Sequence, residues 1–211
     1  MGQTTKQQTA GSGSVSLPVA LPLFHAQTWF QTPALALGGS LVLAASAQVE
    51  VPLWPVPFTM HTLAVMVLGL VCSPRVAVAA TIAYVLEGCV GLPVFSGFSG
   101  GARIMLGPTS GYIVGFIPQA LIIALVAQAC RGRQYELFGQ AAGIVVGQAV
   151  QYACGVALLS GLIGVQAAVT TGLLPFLPTF PIKLALALMI ARGYGAWARR
   201  SLASSTRPAA A

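Results

Sequence analysis

The sequence predicts an all-α, polytopic membrane protein: a six-transmembrane-helix bundle with a folded, glycine-rich outer loop capping a ligand site. Three observations carry this. Of 211 residues, 56% are hydrophobic and only 6% are charged, whereas soluble domains carry about 25% charged residues. A helix needs about 20 apolar residues to cross the bilayer core, so about six spans fit a chain of this length. The third observation is the stretch GLPVFSGFSGGARIMLGPTSGY, residues 91–112, which glycine and proline break up. A solvated linker would be polar, but this one is apolar and aromatic around a single cation, Arg103. Irregular backbone at membrane depth survives where it is buried in protein or lines a cavity. The stretch reads as a folded cap whose Arg103 faces an anion, or as an ordinary loop with Arg103 on lipid phosphates.

Taken in order, residues 1–31 form a disordered or interfacial segment. Residues 1–16 are rich in Gln, Thr, Gly and Ser, a composition that cannot bury a core. Residues 15–24 are apolar but interrupted by Pro18 and Pro22 and lack a basic flank, which makes a poor signal peptide. Trp29 and Phe30 suit the membrane interface, and His25 reads as a surface residue. The membrane domain covers residues 32–200. Its first span runs from about Pro33 to Val49, with a small-residue stripe at Ala36, Ser40 and Ala44. Such a stripe lets another helix approach closely, either within this subunit or in a docked partner.

Pro52, Pro55 and Pro57 forbid a regular helix over residues 50–58. Thr59 is the expected N-cap of the second span, 60–72. Trp54 and Phe58 read as interfacial anchors or as pocket walls beside Phe95 and Phe98. His61, one turn into the membrane, is a structural hydrogen-bonding group or a ligand contact. The third span, 76–90, carries Tyr84 and Glu87 on one face. Glu87 falls about 18 Å along that helix at 1.5 Å per residue. An acid there must face the bundle interior and find a partner, in the ligand or in the protein. The fourth span, 110–130, ends at Arg131 and Arg133. The fifth begins near Leu137 and repeats glycine at 139, 143, 147 and 155, a second close-packing face. Gln148, Gln151 and Tyr152 on it reach either the pocket or a neighbouring helix. Residues 161–178 loosen into a short helix or turn, the last span runs from 181 to 197, and 201–211 form a tail. Cys72, Cys89, Cys130 and Cys154 are scattered through apolar segments without metal-ligand spacing and read as packing residues.

Six spans place both termini on one side. If that side is cytoplasmic, it holds Lys6, Arg75, Arg131, Arg133, Arg192, Arg199, Arg200 and Arg207, against Arg103 and Lys183 outside, as the positive-inside rule requires. The net charge of +7 therefore calls for no nucleic acid. Arg103 and Lys183 are the two cations that topology leaves unexplained, and together they suggest a site for a small anionic solute.

The stretches VPLWPVPFTMHTLAV, EGCVGLPVFSGFSGG and LGPTSGYIVGF resemble the signatures of the BioY family, the biotin-specific membrane subunits (S components) of energy-coupling-factor transporters. The resemblance spans roughly residues 33–200. It implies high-affinity capture of biotin from outside and delivery with a transmembrane coupling protein and two ATPase subunits. It also implies a multi-pass cell-membrane protein in contact with lipid, no enzyme activity, no cofactor and no metal. Trp54, Phe58, His61, Tyr84, Glu87, Phe95, Phe98, Arg103, Gln151 and Lys183 become the expected ligand contacts, and Ala36, Ser40 and Ala44 the expected docking face for the coupling subunit. The chain departs from the family pattern at His61, where Gln is usual, at Ser110, where Gly is usual, and at Phe180, where an Asp stands three residues before the Lys. Glu87 is the expected substitute for that acid.

Biotin suits these residues: its valerate needs a cation, its ureido group needs donors and acceptors, and its thiophane ring needs an apolar wall. Two other readings compete. One is a site for another small anionic vitamin. The other is a rhomboid-like intramembrane serine protease, suggested by Gly97-Phe98-Ser99-Gly100, but no His follows residue 61 to serve as its base. The sequence also contains no P-loop, so ATP-driven uptake requires a motor on another chain.

Overall fold

A computed structural model of the protein describes residues 31–52 and 54–205. The expectations for residues 1–30, including His25, Trp29 and Phe30, fall outside the described residues, as does the side chain of Phe58. The described residues are mostly helical. Helix α1 (Gln31–Ala47) leads into a two-residue antiparallel hairpin, β1 (Glu50–Val51) with β2 (Phe58–Thr59). Helices α2 (His61–Val71) and α3 (Pro74–Cys89) follow. Next come a 3-10 turn at Ser96–Phe98 and the short helix α4 (Ala102–Met105). Helices α5 (Ser110–Cys130) and α6 (Glu136–Ile163) form the most extensive interface. Helix α7 (Val165–Gly172), a 3-10 turn at Leu174–Thr179 and helix α8 (Phe180–Ser205) complete the order.

Local chemistry explains most of these boundaries. Ser73 caps α3, its Oγ accepting from Val76 N at 3.5 Å, with Pro74 in the first turn, where a missing N–H is harmless. The three prolines of residues 52–57 keep the hairpin connection out of helix. Thr59 does not cap α2, contrary to expectation. It is paired with Glu50 in β2, and α2 starts after Met60 without a side-chain cap. Residues 201–205 continue α8 rather than forming part of a separate tail.

Among the described residues, three helical stretches are long and apolar enough to cross a membrane: Ser110–Cys130, Glu136–Ile163 and Val165–Ala198. Helices α1 and α2 are apolar but shorter, and α3 carries Arg75 and Glu87. At 11 residues, α2 extends only about 16 Å, so the apolar segments are unequal in length.

The glycine face of α6 packs on α5. A Cβ on Gly147 would lie 3.1 Å from Gln119 O, and one on Gly155 would lie 2.2 Å from the Tyr112 ring. At Gly155 only a residue without a side chain permits that approach, and at Gly147 the neighbours would have to give way slightly. Between the same helices runs a buried amide ladder. Gln119 Nε2 donates to Gln148 Oε1 at 2.9 Å, Gln148 Nε2 to Gln151 Oε1 at 2.6 Å, and Gln151 Nε2 to Tyr112 O at 3.4 Å.

The stripe expected to dock a partner is turned the other way. Ser40 is 0% exposed and Ala36 5%, and Ala44 packs against the core cluster that holds Tyr84 and Phe95. The physical reason is a polar contact within the chain: Ser40 Oγ lies 2.8 Å from Glu87 Oε1 on α3. Small residues here let α1 and α3 approach, as a Cβ on Gly39 lying 2.7 Å from Ala80 Cβ also indicates.

Candidate functional site

The segment from Gly91 to Thr109 folds back over the end of α3. Phe95 and Ser99 pair as an antiparallel bridge, N to O at 2.9 and 3.3 Å. Between them the chain turns through Gly97 at φ 65° and Phe98 at φ 54°. The turn is fastened to the C-terminal end of α1 by Gln48. Its Nε2 donates to Phe95 O at 3.1 Å, and its Oε1 accepts from Phe98 N at 2.9 Å. Gly88 gives Phe95 its seat: a Cβ there would sit 1.9 Å from the ring.

This segment walls one side of a cavity of about 420 Å³, within the range of small-molecule sites. The other walls are Trp54, Pro55, Val56, Pro57 and Thr59, His61 of α2, Tyr84 of α3, and Tyr112, Ile113 and Phe116 of α5. The interior is aromatic. His61 meets the edge of Tyr84 at 4.5 Å between ring centroids and lies 4.3 Å from Phe116, and Tyr84 meets Phe95 edge-on at 5.4 Å. Arg103 is the one charged residue among the described lining residues.

The cavity thus gathers Trp54, His61, Tyr84, Phe95 and Arg103 from the expected contacts. Trp54 stands at its rim, 85% exposed. Phe98 is not in the lining. Its left-handed backbone, rare outside glycine, accompanies a side chain that is 73% exposed. Glu87 is not in the lining either; its carboxylate faces Ser40. Gln151 and Lys183 line a smaller adjoining pocket of about 50 Å³, which shares Thr59, Tyr112 and Phe116 with the first. Lys183 Nζ donates to Thr59 O and Thr62 Oγ1, both at 2.7 Å. Arg103 and Lys183 therefore line neighbouring pockets instead of converging on one group. The protease geometry does not form among these residues: Ser99 Oγ donates to Ser96 O at 2.7 Å, while the His61 Nδ1 faces Tyr84 OH at 3.5 Å.

Sequence reasoning missed Ser96, Thr109, Tyr112 and Phe116. The last two are four residues apart, on one helical face, inside the quoted stretch LGPTSGYIVGF. That spacing was the available signal. His61 and Ser96, two of the lining residues, carry buried polar atoms, Nε2 and Oγ, with no hydrogen-bond partner among the described residues.

The model of the BioY family matches residues 19–200 of this chain. The biotin transporter BioY of Thermotoga maritima is 36% identical over 151 residues, covering 71% of this chain and 87% of that protein. The probable biotin transporter BioY of Pyrococcus horikoshii is 36% identical over 148 residues, covering 70% and 86%. The crystal structure of the S-component for biotin from an ECF-type ABC transporter superposes with a TM-score of 0.70 at 21% identity, covering 81% of this chain and 94% of that one. At that identity the likeness is one of fold.

Proposed function

This chain belongs to the BioY family, and from that premise we propose that it takes up biotin as the binding membrane subunit of an energy-coupling-factor transporter. The observation that carries the reading is the aromatic cavity of about 420 Å³, assembled from the family-like motifs, with Arg103 in its wall. The rings of Tyr84, Phe95 and Phe116 suit the thiophane face, and the guanidinium of Arg103 suits the valerate carboxylate, a charge-assisted pair. The segment 91–109 acts as the cap that encloses the ligand. As a member of a transporter family the protein does no covalent chemistry on its ligand.

The wider arrangement follows the same reading. Helices α1, α2, α3, α5, α6 and α8 are six membrane segments of unequal length, and residues 32–200 form one binding domain. Both termini face the cytoplasm, because that orientation gathers Arg75, Arg131, Arg133, Arg192 and Arg200 on the inside. A transmembrane coupling protein and two ATPase subunits supply the energy. Equilibrium binding of labelled biotin to the purified protein in detergent tests the central claim. Saturable binding, displaced by unlabelled biotin and not by an unrelated anionic vitamin, is the expected result. Absence of saturable binding overturns it.

A further inference from the structure

We propose that Gly155 of α6 and Gly172 of α7 set the width of the cavity by holding the ring of Tyr112, and so select the size of the ring system that the cavity admits. The proposal rests on the reading of the cavity as a biotin site and adds two positioning residues to it. Neither glycine lines the cavity or the adjoining pocket.

Tyr112 stands where three elements meet. It belongs to the first turn of α5, three residues after the capping segment ends at Thr109. It lines both the cavity of about 420 Å³ and the pocket of about 50 Å³, and so stands on the boundary between them. Helix α6 lies behind the ring, where a Cβ on Gly155 would overlap its carbon atoms. Helix α7 lies at its tip, where a Cβ on Gly172 would overlap the phenol oxygen. The hydroxyl donates to Gly172 O at 2.8 Å, a buried bond. A backbone carbonyl only accepts, so the direction of this bond is settled. Gly172 is the last residue of α7, and the last carbonyls of a helix have no partner within it. Tyr112 supplies that partner from another helix.

The ring is thus held at its back and at its tip. The direction left open to it is the cavity that it lines. Packed interiors yield little, so a methyl group added at Gly172 drives the ring inward. Leu159 Cδ2 would lie 2.6 Å from the same added Cβ, but it is the end of a flexible side chain and gives way more readily than a rigid ring tied by a hydrogen bond. A ring driven inward narrows the cavity, and a bicyclic ligand feels that loss before a monocyclic one does. Gly172 therefore acts on the ligand through Tyr112 and touches none of it.

The test is competition against labelled biotin, in detergent, by biotin and by dethiobiotin, which keeps the ureido ring and the acid chain but lacks the thiophane ring. It uses wild type, Gly172→Ala, Tyr112→Leu, the double variant of these two, and Tyr112→Phe. Gly172→Ala should weaken biotin about tenfold and dethiobiotin less than about threefold, as overpacking against the ring implies. Tyr112→Leu has a side chain that stops short of Gly172. In that background the same change should cost biotin less than about threefold, since two residues that act through one contact are not additive. A glycine needed only to end α7 would cost the same for both ligands and in both backgrounds. Equal losses in either comparison overturn the assignment. Should Gly172→Ala alone yield no folded protein, Tyr112→Phe decides: it keeps the ring and removes its tether, and should narrow the gap between biotin and dethiobiotin by about threefold or more, whereas an unchanged gap overturns the assignment. A wild type that binds no biotin overturns the reading of the cavity and this inference with it; the other contrary results overturn the inference alone.

Discussion

At the scale of single residues, the site is decided by where side chains point, and charge makes the sharpest case. Arg103 belongs to α4, a helix of four residues, and lines the cavity although the residue is exposed. A hydrogen bond to a charged group contributes about 1.5–3 kcal/mol. Arg103→Ala should therefore weaken biotin about tenfold and the neutral amide of biotin much less, as read by competition binding; equal losses would remove the carboxylate from Arg103. Lys183 differs, being buried and hydrogen-bonded to Thr59 O and Thr62 Oγ1. The sequence reading puts both cations outside, an expectation that rests on spans and loops alone. It could not say that β2 and α2 would take the Lys183 protons. Phe98 was equally hidden: a positive φ at a phenylalanine, fixed by Gln48, is not written in composition or period.

At the scale of elements, two contacts between helices make predictions. The first is α1 on α3. A periodic run of small side chains reveals that a face is close-packed but not what packs on it, which is why Ala36, Ser40 and Ala44 read as a docking face from sequence. With Ser40 fully buried against Glu87, Ser40→Trp should abolish both biotin binding and uptake, with a collapse in the yield of folded protein on size-exclusion chromatography. Binding kept with uptake lost would restore the docking reading. The second contact is the amide ladder between α5 and α6. Gln148→Leu would strand Gln119 Nε2 and Gln151 Oε1, and a buried group left without its partner costs about 1–3 kcal/mol. The thermal midpoint in detergent should fall by several degrees. Gln148→Glu should be tolerated worse than Gln148→Asn, because a buried charge is harder to satisfy than a shortened amide.

At the scale of the whole molecule, the class of fold was legible because lipid enforces it. Runs of apolar residues must become helices where no water can satisfy the backbone, and boundaries near Ser110, Cys130 and Leu137 fell within about two residues of those observed. Residues 91–109 hold no long helix for the converse reason, as glycine and proline cannot sustain one; only a 3-10 turn and α4 form there. The aromatic half of the site was only partly legible: Tyr84 and Phe95 stood out beside polar or broken sequence, while Tyr112 and Phe116 were concealed among ordinary helix residues. Orientation can be read with a reporter that fluoresces only in the cytoplasm, fused after Ala211. It should be bright, and the same reporter inserted after Gly101 should be dark; a dark C-terminal fusion would invert the topology.

The Gln48 side chain holds the turn that carries Phe95 by both ends of its amide, one as donor and one as acceptor. A fastening of this kind acts on time more than on equilibrium. Were biotin to enter and leave past this wall, the turn would first have to let go of α1, and the two bonds of Gln48 would act as a latch on the dwell time. Gln48→Ala should speed arrival and departure together, leaving the dissociation constant within about threefold while the off-rate rises about tenfold, roughly the worth of one or two neutral hydrogen bonds. Stopped-flow exchange of labelled for unlabelled biotin would read both rates. The bound vitamin's residence, and with it the interval available for an energising partner to act, would then be governed by a glutamine that does not line the cavity.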